Sequence, residues 1–288
     1  MMIRFRWQRG AGDTARRLAR FRRVVDSALQ TPRYGPSLER AGLRRTKDIA
    51  KIRSIEEVLQ YIEPAYYDDV VKMPDLWRAP IEAPESLPPR LLYPTGRAAR
   101  TAVFEAPVEE SRWVSRFSMD EIGALRHEMP EAIAAPAPFL VFVARMVEGG
   151  FLSLPPVSRY LIAFTGFLNL PEREMVLAAE ERELLWRVFQ VPVFEQYMGV
   201  DGRLAGWECE AREGLHLVRE NVVLEKTRQG EVLLTSLTSL HLPILRVRTA
   251  LEGSLVPGPC ECGRETPRLV ALRRLPVVQA FAARAAAG

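Results

Sequence analysis

Cys209, Cys260 and Cys262 are the three cysteines of a 288-residue chain, and His216 is one of its three histidines. Cys260 and Cys262 stand one residue apart in the run VPGPCECGRETPRL, Val256–Leu269. Cys209 lies in WECEAREGLHLV, seven residues before His216. If that segment is a hairpin turning at Arg212–Glu213, Cys209 and His216 fall directly across from each other, with Cβ atoms about 4.5–5.5 Å apart. Cys260 and Cys262 occupy a turn framed by Pro257, Gly258, Pro259 and Gly263. Glycine tolerates positive φ, so such a turn can aim both thiolates the same way. The four side chains together make Cys₃His, a closed structural zinc set. Two other readings stand beside it. The cysteines could be unrelated buried thiols beside a polar His. Cys260 and Cys262 could be a redox pair, which leaves Cys209 and His216 without a role. Four protein ligands leave no open position for a catalytic water, so zinc here would hold loops.

The elements that must position these residues can be read in outline. In DTARRLARFRRVVDSALQ, Leu18, Phe21, Val25 and Leu29 recur at helical spacing, with Asp13 or Thr14 as a cap. The opposite face is Arg-rich and reads as solvated. SIEEVLQYI carries a capping box from Ser54 to Glu57, and SMDEIGALRHEM another from Ser118 to Glu121. Residues 74–95 are a proline-rich connector. RTAVFEAP predicts a short strand, and APFLVFVARMVE and RYLIAFTGFL look buried. The second of these, then a helix opened by Pro171, then VPVFEQYMG, give a β–α–β rhythm. From Ala205 onward the short runs LAGWECEA, GLHLVREN, VVLEKT, GEVLLTSLT and LPILRVRT predict mostly sheet. The expected organisation is a helical segment and connector over 1–92, an α/β core over 93–204, a β-rich zinc-binding part over 205–270, and a tail over 271–288.

Composition bounds the class. The chain is 48% hydrophobic and 26% charged with a formal net charge of +4, an ordinary globular balance. Lys47, Lys51, Lys72 and Lys226 are the only lysines, so arginine dominates, as high-GC, bacterial-type coding produces. Three cysteines do not make a disulfide scaffold. The longest apolar run, AIAAPAPFLVFVA, holds two prolines and falls short of the about 20 residues a membrane span needs. The Arg-rich start lacks a secretory h-region. The expectation is a cytoplasmic protein without a membrane partner. Nucleic acid is not expected either, because few aromatics interleave with the N-terminal arginines.

The region from Cys209 to Pro267 resembles the phenylacetate–coenzyme A ligase family of adenylate-forming enzymes. The resemblance rests on Glu208-Cys209, Gly214-Leu215-His216, GEVLLTSL, PILRVRT and CECGR, in this order. VVDSALQTPRYGPSLERAGL followed by IRSIEEVLQYI is similar to the family's N-terminal helices. The resemblance implies an α/β fold, a truncated adenylate-forming N-terminal domain with a β-rich, zinc-stapled C-terminal half. It also implies zinc at Cys209, His216, Cys260 and Cys262, as in some related members.

Family members activate a carboxylic acid with ATP and pass the acyl group to coenzyme A. The resemblance puts the phosphate-wrapping loop at YPTGRAARTAVF, with Thr95, Gly96, Arg97 and Arg100, where the family's Gly-Thr-Thr-Gly heart is missing. It matches Tyr197 and Asp201 of YMGVDG to the family's Tyr-Gly-x-Ser/Thr-Glu, with Val200 in place of the hydroxyl. Asp201 could still serve magnesium as a hard oxygen ligand. The ribose-binding Asp falls on Leu251, and Glu252, one residue on, would face away on a strand unless a bulge intervenes. No lysine follows Lys226, so the mobile lid domain is expected to be absent.

The leading expectation is therefore a shortened, degenerate relative that holds structural zinc, has eroded ATP and magnesium motifs, and binds a protein partner or an acyl-like ligand. Such a chain could also form a homo-oligomer. The alternative is a compact acyl-transfer or acyl-activating enzyme, with His241 as base or nucleophile or with a lid supplied in trans. His127 reads as solvated.

Overall fold

The computed structural model describes residues 11–81, 88–166 and 176–275. The Arg-rich segment forms helix α1 (Ala11–Ala28), so Asp13 and Thr14 lie inside the helix and do not cap it. Phe21, Val24, Val25 and Ala28 are fully buried along one stripe. The arginine face is not simply solvated. Arg17 donates to the carbonyls of Arg219 and Val222, Arg20 to Glu220 and Arg22 to Ile52. The guanidinium stems thus dock α1 on neighbouring loops while the charge stays near water.

Short elements follow: α2 (Gly35–Arg40), a 3₁₀ turn over Thr46–Lys51, α3 (Ile55–Leu59), β1 (Ala65–Tyr66) and α4 (Tyr67–Lys72). Ser54 caps α3 by accepting from the Glu57 N–H, as its capping residues predict. Next come β2 (Thr101–Phe104) and β3 (Val114–Phe117). SMDEIGALRHEM is shorter as an α-helix than expected. It is 3₁₀ over Met119–Ala124 and α-helical only in α5 (Leu125–Glu128). The Glu121 carboxylate accepts from both the N–H and the hydroxyl of Ser118, which fixes that start.

The centre is a parallel sheet. β4 (Ala132–Pro136), α6 (Ala137–Glu148), β5 (Tyr160–Gly166), α7 (Ala179–Phe189) and β6 (Val193–Met198) succeed one another. The segment APFLVFVARMVE is thus helix α6. Pro171, the expected helix opener, lies outside the described residues. All residues of β4, β5 and β6 are buried, as parallel strands covered on both faces require. Alternate residues go to opposite faces. Ile133, Ala135, Leu161 and Ala163 pack with α6 and α7, while Ala132, Ala134, Tyr160 and Ile162 join a second cluster with Phe194 and Leu204.

After β6 the sheet turns antiparallel through β7 (Leu204–Glu208), β8 (Leu215–Leu217), β9 (Val222–Lys226), β10 (Glu231–Ser236), β11 (Val247–Val256) and β12 (Arg268–Arg274). The strand order is β3-β2-β4-β5-β6-β7-β8-β12-β11-β10-β9, and β1 pairs with β11 in parallel. The β-rich part is therefore hydrogen-bonded to the α/β core through β6 and β7. The expected tail from 271 begins as the last four residues of β12. Among the described residues, no helix is long and apolar enough to cross a membrane.

Candidate metal centre and nucleotide-motif residues

Strands β7 and β8 supply the first half of the cysteine–histidine cluster. Their register pairs Trp207 with His216 and Glu208 with Leu215. Cys209 is thus not directly opposite His216, as a turn at Arg212–Glu213 had implied. It lies just beyond the paired residues, where the Arg212 N–H donates back to its carbonyl and Arg212 takes a φ of 56°. The connection is longer than a tight hairpin, and the contact is made diagonally. His216 Nε2 still comes within 3.3 Å of Cys209 Sγ.

The second half comes from the loop between β11 and β12. The Cys260 N–H donates to the Arg264 carbonyl and the Gly263 N–H to the Cys260 carbonyl, closing a tight turn. Gly258 and Gly263 have φ of 96° and 82°, a region that residues with a Cβ rarely adopt. The turn brings Cys262 Sγ to 3.4 Å from His216 Nε2, and Cys260 Sγ to 3.7 Å from Cys209 Sγ. All four ligand atoms lie within 4.8 Å of one another.

These separations fit one ion. A tetrahedron with metal–sulfur bonds of about 2.3 Å has edges of about 3.8 Å. Cys209 and His216 are fully buried and Cys260 nearly so. His216 turns Nε2 to the thiols, and its Nδ1 sits 2.7 Å from the Thr266 hydroxyl, which fixes the ring. Burial, with Arg264 and Arg268 acting in the same direction, holds the His216 pKa below its usual value, so the imidazole stays neutral near pH 7. Burial pushes the Cys209 thiol up to about 12 and raises Cys260 as well. Burial also opposes ionisation of Cys262, but the Arg264 N–H and guanidinium outweigh it and lower that thiol. A cation among these groups would reverse the cost of buried thiolates. The four residues could hold a metal ion.

Outside the cluster, Glu213 accepts from Cys260 Sγ and pairs with Arg268. Arg264 pairs with Glu210 at 3.3 Å and stacks over Trp207 with its guanidinium carbon 4.8 Å from the ring centroid. Thr266 and Glu213 were not singled out in the sequence. Their proximity to the motif, two residues past Arg264 and two before Leu215, was the only available signal.

The nucleotide-motif residues are more scattered. Gly96 has a φ of 69°, and its N–H donates to the Tyr93 carbonyl. A Cβ on Gly96 would meet Arg264 at 3.8 Å, so this loop borders the metal-side turn. The Arg97 N–H reaches the Thr95 hydroxyl at 3.4 Å, and the Arg100 N–H donates to Glu131. Tyr197 is buried in β6 and belongs to the core shared with the N-terminal helices. Asp201 accepts from the Ser236 hydroxyl at 2.6 Å, from Thr238 at 2.5 Å and from the Arg203 N–H at 3.1 Å.

Leu251 is 1% exposed and packs in the main core. A bulge does occur beside it, since the β10–β11 register shifts and Ala250 takes a φ of 54°. Glu252 nevertheless pairs with Arg273 at 2.8 Å. His241 places Nδ1 2.8 Å from the Ile81 carbonyl, and its own carbonyl accepts from the Ala79 N–H.

No family model and no curated protein matches the sequence. Solved structures do match, and the likeness is one of fold. One is 2-hydroxyisobutyryl-CoA ligase in complex with 2-HIB-AMP and CoA in the thioesterification state. It aligns at a TM-score of 0.66 and 12% identity, covering 94% of this chain and 70% of that one. The same ligase in an open conformation aligns at a TM-score of 0.63 and 13% identity, covering 89% and 68%.

Proposed function

We propose that this chain is a zinc-clasped relative of the phenylacetate–coenzyme A ligases that does not adenylate carboxylic acids and works by binding a protein partner or an acyl-like ligand. The observation that carries the reading is Leu251. An adenylating site of this type needs a carboxylate on the ribose hydroxyls at that position. Here the residue is apolar and 1% exposed. The neighbouring Glu252 is held by Arg273. Val200 replaces a hydroxyl residue, and both oxygens of Asp201 accept protein hydrogen bonds. Losing one positioned polar contact commonly costs about 10²–10³ in rate, and several losses compound without being additive.

Zinc is the metal that suits three thiolates and one imidazole in a closed tetrahedral set. Its role in this reading is to tie the β7–β8 connection to the β11–β12 loop. A reducing, cytoplasmic setting belongs to the reading, because thiolate ligands must stay reduced.

The test is ATP–pyrophosphate exchange by the metal-loaded full chain with a panel of carboxylic acids, 2-hydroxyisobutyrate and phenylacetate included. The expected result is exchange no faster than in buffer. Exchange that disappears in Asp201→Ala would overturn the reading.

One observation favours acyl transfer as a second reading. The Nδ1–H of His241, donated to the Ile81 carbonyl, leaves Nε2 as the basic nitrogen. A transferase activity lost in His241→Ala, with folding kept, is its signature.

A further inference from the structure

Four arginines from three separate segments line one cleft of about 480 Å³: Arg20 and Arg23 of α1, Arg90 of the connector, and Arg203 of the turn after β6. None of Thr95, Gly96, Arg100 and Tyr197 lines it, nor does any residue of the metal cluster. Its size lies within the range of small-molecule sites.

Several contacts build this cleft. Arg20 is fixed by donating to the Glu220 carbonyl at 2.7 Å. A carbonyl accepts the hydrogen bond without neutralising the charge. Arg23 lies three residues on, on the same side of α1. It is exposed and makes no ion pair or hydrogen bond with a described residue. Arg90 pairs with Glu109 at 2.8 Å, while the Pro89 carbonyl accepts from the Glu109 N–H and the Leu92 carbonyl accepts from Gln196, which anchors this wall. Among the described residues that line the cleft, Glu220 is the one carboxylate beside four arginines, of which Arg90 is paired with Glu109.

The floor has a different character. Leu92, Leu204, Val218, Leu237 and Leu240 supply apolar surface, and Thr238 adds a hydroxyl. Asn221 donates to the Leu204 carbonyl and keeps the β8–β9 connection against the start of β7. A cationic rim over an apolar floor suits a molecule with one strongly anionic end and one apolar or aromatic body. Guanidinium forks match phosphate oxygens in geometry and stay charged at any working pH.

We propose that this cleft binds an organic phosphate, with the phosphate held by Arg23 and its neighbouring arginines and the body laid on the leucine–valine floor. The inference does not rest on the metal, and it meets the adenylation argument only at Arg203, whose backbone N–H donates to Asp201 while its side chain is the group proposed for the ligand.

The experiment is calorimetric titration of the full, metal-loaded chain at low and moderate salt. The probes are AMP, phenyl phosphate, adenosine and inorganic phosphate. AMP, phenyl phosphate or both should bind at least tenfold more tightly than adenosine and inorganic phosphate. A preference for AMP identifies a nucleotide as the source, and equal binding of phenyl phosphate identifies a general phosphate ester. Arg23→Gln should weaken the phosphate ester at least tenfold without lowering the melting temperature, and Arg203→Gln should weaken it too. Unchanged affinity in Arg23→Gln would overturn the proposal. So would no binding of either ester, or binding of a single-stranded oligonucleotide with a steep salt dependence that the esters do not displace.

Discussion

The Ser236 hydroxyl donates to the Asp201 carboxylate at 2.6 Å, joining the end of β10 to the turn that follows β6. With Thr238 on the same oxygen, Asp201 acts as a crosslink between the parallel and antiparallel halves of the sheet. Asp201→Asn should therefore lower stability by about 1.5–3 kcal/mol, the range for hydrogen bonds to a charged group. Urea unfolding measures this. A variant as stable as the parent would mean that Asp201 is free for a ligand.

The metal reading predicts a single equivalent of zinc per chain by elemental analysis. Cys262→Ser should reduce that content sharply, because Cys262 is one of the four residues that could hold the ion. Chelation should lower the melting temperature of the parent and leave Cys262→Ser nearly unmoved. Chelation that leaves the parent's melting temperature unmoved would refute a metal with a structural role.

Tyr34 joins the N-terminal helices to the segment that leads into β11. Its hydroxyl accepts from the Leu245 N–H at 2.9 Å and donates to the Leu245 carbonyl at 3.2 Å, and the ring is fully buried. Tyr34→Phe leaves two buried backbone groups without partners, each costing about 1–3 kcal/mol. The expected signature is a drop in urea midpoint with an unchanged m-value.

A pH effect follows from Glu195. Burial, helped by the nearby Glu208 carboxylate, raises its pKa from 4.5 to about 7 despite the opposing Arg182. The folded state then holds a proton that the unfolded chain has lost. Its stabilising contribution is complete below pH 4.5 and fades as pH rises to about 7. Glu195→Gln should remove that slope from a stability–pH profile. A parent profile as flat as the variant's would contradict the assignment.

The four cluster residues were legible from type and spacing, because few other arrangements account for three cysteines and a histidine together. The hairpin register was not. It depends on Arg212 adopting a positive φ, and no residue-type preference signals that for arginine. The buried strands Tyr160–Gly166 and Val193–Met198 were readable as apolar runs between breakers. APFLVFVARMVE was readable only as buried, since a short apolar run does not separate strand from helix. β11 was read as ending near Thr249, but it runs to Val256 because a bulge at Ala250 absorbs the irregularity. The arginine face of α1 was read as solvated because hydropathy cannot show that backbone carbonyls of distant loops wait beneath it.

The position of β12 bears on how the protein is made. A ribosome releases β12 after every other described strand, yet the sheet seats it in the interior, between β8 and β11. The parallel half can assemble from neighbouring segments as they emerge. The antiparallel half cannot close until Arg274 is out, and β1 must wait for Val247 to give it a partner. The nascent chain thus carries an unpaired β8 edge from the time Leu217 emerges until β12 follows, a period of exposure to aggregation. Cys209 and His216 wait on a similar schedule, because Cys260 and Cys262 emerge only after β11.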